Sequence, residues 1–154
     1  QQVGGAQRPS ESTWLASIRD AARSRGVDDR TRWLGPRDDV PELLQAADIY
    51  CQPNLSPEPF GVVFVEALRA GLPVVTSALG GALEIVDETC GVLTAPGDAH
   101  GVAAALQQLI DDDDARRRKS VRGPARAGAL SDPATQIQRL EQALTGMTTA
   151  ELRA

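Results

Sequence analysis

Two acidic side chains, Glu58 and Glu66, stand on either side of a Phe60-Gly61 step with seven residues between them. From 60 to 70 only Glu66 and Arg69 ionise, the remainder being apolar or glycine, and a helix apolar nearly all round is a buried helix. A carboxylate there must find partners or lose its charge. One available partner is Arg69, and an i,i+3 pair of this kind contributes about 0.2–0.5 kcal/mol. The other is a bound polyol. A carboxylate accepts from two adjacent hydroxyls, each charge-assisted bond contributing roughly 1.5–3 kcal/mol. The helix start supplies a second group, because Gly61-Val62-Val63 leaves backbone N–H groups pointing out of the first turn. Gly61, without a side chain, lets a ligand come close. Pro57 and Pro59 hold Glu58 at the same mouth. A phosphate site with one carboxylate at its entrance and another two turns in suits a sugar nucleotide better than a free sugar.

The elements around this run alternate. Apolar residues at helical spacing (Trp14, Leu15, Ile18, Ala21, Ala22) predict a helix over 10–25, capped by Ser10 or Ser12. A strand over 31–34 closes on Gly35-Pro36, and a helix over 39–47 tolerates Pro41 in its first turn. A strand at 47–51 feeds a proline-rich loop, 52–59, and then the apolar helix 60–70, ended by Gly71. Residues 72–76 read as a buried strand, followed by Gly80-Gly81, a short helix at 82–86 and a last strand at 91–94. Asp98 opens a helix to 110. Beyond it, the acidic run 111–114 and basic run 116–119 read as a helix start and a solvated face whose signs cancel. Asp132-Pro133 opens a final amphipathic helix through Ile137, Leu140 and Leu144, with a tail expected to fray after Gly146. Gln1 to Gly5 reads as the end of a strand and a glycine turn. The pattern predicts an α/β fold, a mostly parallel sheet with helices on both faces. Ligands of such sheets bind beyond the carboxyl ends of the strands, where every loop singled out above lies.

Composition narrows the functional classes. With 154 residues, 42% hydrophobic and 24% charged, the chain is sized for one globular domain. A net charge of −5 argues against nucleic acid and against an anionic membrane surface as partners. No apolar run reaches the roughly 18 residues of a membrane span. Cys51 and Cys90 make no disulfide framework and no metal-ligand spacing, and they suit a reduced compartment such as the cytoplasm. His100 is the one histidine, so no triad can form, and it reads as a solvated residue at a helix start. Trp14 and Trp33 read as core residues. Gly80-Gly81 and Gly4-Gly5 each fit an anion nest or an ordinary tight turn.

The run 54–75 resembles the signature of glycosyltransferase family 4 and its relatives, including bacterial glycogen synthases and sucrose synthases. The similarity rests on Glu58, Phe60-Gly61, Glu66-Ala67, Ala70-Gly71 and Pro73-Val74-Val75. It extends to Trp33-Leu34-Gly35, Ala47-Asp48-Ile49, Gly80-Gly81 with Glu84-Ile85-Val86, and Gly91-Val92-Leu93 with Pro96-Gly97-Asp98, in family order across about residues 3–110.

The resemblance implies the C-terminal, donor-binding half of a GT-B fold: a Rossmann-like domain at 1–130 whose first strand precedes residue 1, then a helix and tail at 131–154. It implies retaining transfer of a sugar from a nucleotide-sugar, with no metal or other cofactor. Glu66 would grip the ribose, and Glu58 would lie beside the transferred sugar. Amides of Phe60, Gly61, Val62 and Val63 would hold the diphosphate and sugar hydroxyls, and Gly35, Pro36 and Arg37 would border the base. The family's diphosphate-binding Arg and Lys, and its N-terminal acceptor-binding domain, lie upstream of residue 1, so the chain alone is expected to be inactive. Ile137, Leu140 and Leu144 would lack their usual partner surface. A non-catalytic nucleotide-sugar-binding or interaction module of the same fold is the alternative.

Overall fold

The computed structural model describes residues 1–4 and 9–146, and the chain divides into two units, Gln1–Val40 and Pro41–Ala154. In the first, strand β1 (Gln2–Val3) pairs in parallel with β2 (Trp33–Gly35), and helix α1 (Pro9–Ser24) lies between them in sequence. Because α1 begins at Pro9, Ser10 and Ser12 fall inside it rather than at its cap. Its half-buried stripe is centred on Leu15, Ile18, Arg19 and Ala22. Trp14 stands roughly a quarter-turn away from that stripe and is 64% exposed, which corrects its reading as a core residue. Trp33 is half-buried instead: its Nε1 donates to Asp28 Oδ1 at 3.0 Å, and the Arg19 guanidinium lies 5.3 Å from its ring centre.

After helix α2 (Val40–Gln45), the second unit holds β3 (Tyr50–Gln52), β4 (Val74–Ser77) and β5 (Gly91–Thr94) in an all-parallel sheet of order β3-β4-β5. The register sets Gln52 beside Thr76 and Ser77 beside Thr94. Among the described residues the strands form two parallel ladders, β1-β2 in the first unit and β3-β4-β5 in the second. Every residue of β4 is buried. Val74 packs into a core with Phe64, Ala67, Leu68, Ala82, Ile85 and Val86, and its neighbour Val75 into a second with Ala105 and Leu109. Adjacent strand residues face opposite ways, so helices cover both faces of this sheet, as the sequence pattern requires.

Helix α3 (Val62–Arg69) starts two residues later than its apolar run suggests. Gly61 has φ +87, a left-handed conformation that cannot continue a right-handed helix, and Phe60 precedes it. At the other end Gly71, at φ +81, donates to Leu68 O (3.0 Å) and Leu72 N to Ala67 O (2.9 Å), the paired bonds of a Schellman stop. Helix α4 (Ala82–Ile85) is short. Helix α5 (Ala99–Asp111) is capped by Asp98, which accepts from Gly101 N at 2.8 Å, and α6 (Asp113–Ser131) by Asp112, which accepts from Ala115 N at 2.8 Å. In the last helix, α7 (Pro133–Gly146), Ile137, Leu140 and Leu144 are all exposed. The expected frayed tail lies outside the described residues.

Helices α3 and α6 approach closely at Gly123, where an added Cβ would stand 2.8 Å from Leu68 O. Alanine is favoured over glycine inside a helix by about 1 kcal/mol, but overpacking against backbone costs roughly 1–3 kcal/mol. Gly123→Ala should therefore lower the melting temperature. Gly128→Ala, in open space on the same helix, should hold or raise it. Equal melts for the two variants would contradict this packing.

Candidate functional site

In the second unit the carboxyl ends of three parallel strands share one edge, and the loops leaving them are bonded together. Thr76 Oγ1 donates to Gln52 O at 2.8 Å, Ala78 N to Thr94 O at 2.8 Å, and Thr94 Oγ1 to Thr76 O at 3.3 Å. The loop after β3 carries Glu58, and its carbonyl accepts from Gly81 N, at 2.9 Å, on the loop after β4.

Glu58 is half-buried and Glu66 exposed. Both bear on one hydroxyl, that of Tyr50. Burial, followed by the charges of Glu66, the Cys51 thiol and Glu58, pushes Tyr50 up to about 12. The Tyr50 ring meets Phe64 edge-on, with centroids 6.3 Å apart. Its hydroxyl donates to Gln52 Oε1, and Gln52 Nε2 donates to Asn54 Oδ1 at 3.3 Å. Asn54 Nδ2 is buried without a partner. The sequence reading missed this relay, although polar residues at alternate positions of a strand end (Tyr50, Gln52, Asn54) are a legible signal.

Two parts of the sequence argument change. Helix α3 is not apolar all round in its packing: Phe64, Ala67 and Leu68 form its buried stripe, while Val62, Glu66 and Arg69 face outward. Glu66 therefore does not need a partner to survive burial, and an outward carboxylate is free to meet a ligand. Arg69 does not pair with it, because its Nη2 donates to Ser131 Oγ at 2.7 Å. Gly61 is also buried, and a Cβ there would lie 2.5 Å from Phe64 Cδ2 and 3.3 Å from Ile85 Cδ1. The left-handed turn and the core contact by themselves already require glycine here.

The start of α3 itself is open. No side chain caps α3, so the amides at the start of its first turn have no partner within the helix. Phe64 N is already used, donating to Gly61 O at 2.9 Å. That leaves Val62 and Val63 at the positive end of the helix dipole. Phe60 is 67% exposed just before them. In the first unit, Gly35 (φ +67) ends β2, followed by exposed Pro36 and Arg37. Arg37 Nε donates to Asp39 Oδ1 at 2.7 Å, a pairing that raises the guanidinium's pKa and lowers that of the carboxyl. Among the described residues no group of three or more His, Cys, Asp or Glu could hold a metal ion.

Parallel strands wrapped by helices, with an uncapped helix start after β3, define a Rossmann-like α/β domain. Comparison with known proteins makes the class specific. The family described as "Glycosyl transferases group 1" matches residues 3–126, and the chain belongs to that family. It is 42% identical over 110 residues to a D-inositol 3-phosphate glycosyltransferase of Corynebacterium kroppenstedtii, covering 70% of this chain and 23% of that protein. It is 37% identical over 100 residues to a phosphatidyl-myo-inositol mannosyltransferase of Mycobacterium leprae, covering 63% and 27%. The crystal structure of Anabaena Alr3699/HepE in complex with UDP superposes with a TM-score of 0.87 at 32% identity, over 94% of this chain and 40% of that one. The chain spans about a quarter of the length of these curated relatives.

Proposed function

We propose that this chain is the donor-binding part of a retaining glycosyltransferase, an enzyme that moves a sugar from a nucleotide-sugar to an acceptor hydroxyl. The observation that carries the reading is the uncapped start of α3, which follows a strand of a parallel sheet, with Glu58 on the loop before it and Glu66 on its outward face. Glu66, outward on α3, accepts from the two ribose hydroxyls. The amides of Val62 and Val63, with those of Phe60 and Gly61, receive the diphosphate and sugar hydroxyls. Glu58 stands beside the transferred sugar and stabilises positive charge at its anomeric carbon. There the bond to the phosphate oxygen breaks, the nucleoside diphosphate leaves with the electron pair, and the acceptor oxygen forms the new bond as its proton passes to the departing phosphate oxygen. No metal is called for, because the helix end offsets part of the diphosphate charge. The free thiols of Cys51 and Cys90 suit the reducing cytoplasm, where we place the reaction. No described helix is long and apolar enough to cross a membrane.

These residues span about a quarter of the length of the curated relatives they match, so by themselves they should bind donor but not transfer. The chain is expected to take UDP, GDP or ADP with millimolar affinity, about −4 kcal/mol, with the Val62 and Val63 amide resonances shifting most. It should release no nucleoside diphosphate from the matching sugar nucleotides when an acceptor is added. Amide spectra unmoved by all three nucleotides would refute the donor site, and turnover by these residues alone would refute the expected lack of transfer. Binding without turnover after an acceptor-binding half is joined to it would favour the non-catalytic module.

A further inference from the structure

The Gly80-Gly81 turn joins the hydrophobic core to the loop that carries Glu58. Its base is fixed. Helix α4 directly after it buries Ala82 and Ile85 in the same core as Phe64, and Arg126 Nε on α6 donates to Ile85 O at 3.0 Å. Against this base the loop before α3 lies backbone to backbone. Gly81 N donates to Glu58 O at 2.9 Å. A Cβ on Gly81 would stand 2.1 Å from Phe60 O, and one on Gly80 would stand 2.4 Å from Glu58 O and 2.9 Å from Glu58 N. Backbone atoms cannot swing aside as a flexible side chain can, so any side chain at either position must displace the loop. Gly81 has φ −58, open to any residue; what selects glycine there is the approach of the loop, not backbone strain. Gly80, at φ +55, is constrained on both counts. The far end of the loop is held by the same helix, since the space a Gly61 Cβ would need is occupied by Phe64 and Ile85 Cδ1.

We infer that Gly80 and Gly81 are positioning residues for the donor site: they set where Glu58 and the amide of Phe60 stand, while Glu66 is placed independently by α3. This rests on the donor-site reading above. It gives the glycine pair a definite role in place of the two open from sequence, since its one amide bond goes to Glu58 O rather than to an anion.

Titrations of the wild-type chain, Gly81→Ala and the control Gly128→Ala with UDP and UDP-glucose, followed by amide NMR, test the inference. GDP and GDP-linked hexose serve if the wild type prefers them. Gly81→Ala is expected to lose at least tenfold in affinity for the sugar nucleotide but less than threefold for the nucleoside diphosphate, with the α3 core resonances unchanged. The Gly128→Ala control should match the wild type. Equal loss for both ligands in a folded Gly81→Ala, or no loss for either, overturns the inference while leaving the donor site standing. Wild-type chain that binds neither ligand removes the donor site, and the inference with it. Should Gly81→Ala fail to fold, Gly80→Ala places the same kind of contact at an exposed position and is judged by the same ratio.

Discussion

Glu58→Ala is expected to reduce turnover roughly 10²–10³-fold, the effect of deleting one group that stabilises developing charge, in a chimera supplying the acceptor-binding half of a group 1 relative. Nucleotide affinity should change little. Glu66→Ala should do the reverse, weakening nucleotide binding by about 1.5–3 kcal/mol, roughly 10- to 150-fold. The contrast follows from placement: Glu58 sits on a loop at the sheet edge and Glu66 on the outward face of α3. An interaction with the ribose moves nucleotide affinity, and one with the sugar that strengthens in the transition state moves kcat while leaving nucleotide affinity alone. Calorimetry with the nucleoside diphosphate and steady-state kinetics with the sugar nucleotide separate the two. Unchanged nucleotide affinity in Glu66→Ala would remove that residue from the ribose.

The largest effect on stability is expected at Phe64. Its side chain is fully buried, meets Tyr50 edge-on, and fills the space beneath Gly61. Phe64→Ala should cost about 3–5 kcal/mol, a large share of the roughly 5–15 kcal/mol that holds a domain together. Val62→Ala, two residues away on the exposed face of the same helix, should stay within about 0.5 kcal/mol. Urea unfolding of the pair measures the difference. Similar midpoints would mean that α3 is not seated on the core as described.

Much of this was legible from local rules. Gly71 at the end of an apolar run and Asp98 ahead of a helical one are short-range signals, and both act as expected. The order of strands and helices followed from apolar runs broken by Gly and Pro. What was not legible depends on direction or distance. Counting apolar residues between 60 and 70 suggested burial on every side, yet Val62 is 56% exposed and Glu66 faces outward, because the core lies on one side only. Trp14 failed for the same reason, being large but a quarter-turn from the buried stripe. Arg69 finds Ser131, 62 residues away, rather than Glu66 beside it, and no spacing rule reports a partner at that range. Gly61 was singled out for a ligand's approach, and its left-handed turn and contact with Phe64 stayed out of sight, since a sequence shows that a side chain is absent but not which atoms fill the space.

The burial of β4 on both faces also bears on how the chain reaches this structure. Val74 belongs to one core and Val75 to the other, so neither core can be completed before the strand is placed. The segments it must gather are almost equally remote: Thr76 meets Gln52 across 24 residues and Thr94 across 18. The loop-closure penalties for the two differ by only about 0.3 kcal/mol, too little to dictate which strand docks first. Burial breaks the tie. The crossover between β3 and β4 carries Phe64 and Leu68, both fully buried, whereas the largest side chains buried by the crossover between β4 and β5 are the smaller pair Ile85 and Val86. The rate-limiting ensemble should therefore be organised around the β3-α3-β4 unit, with β5 joining an edge already half built.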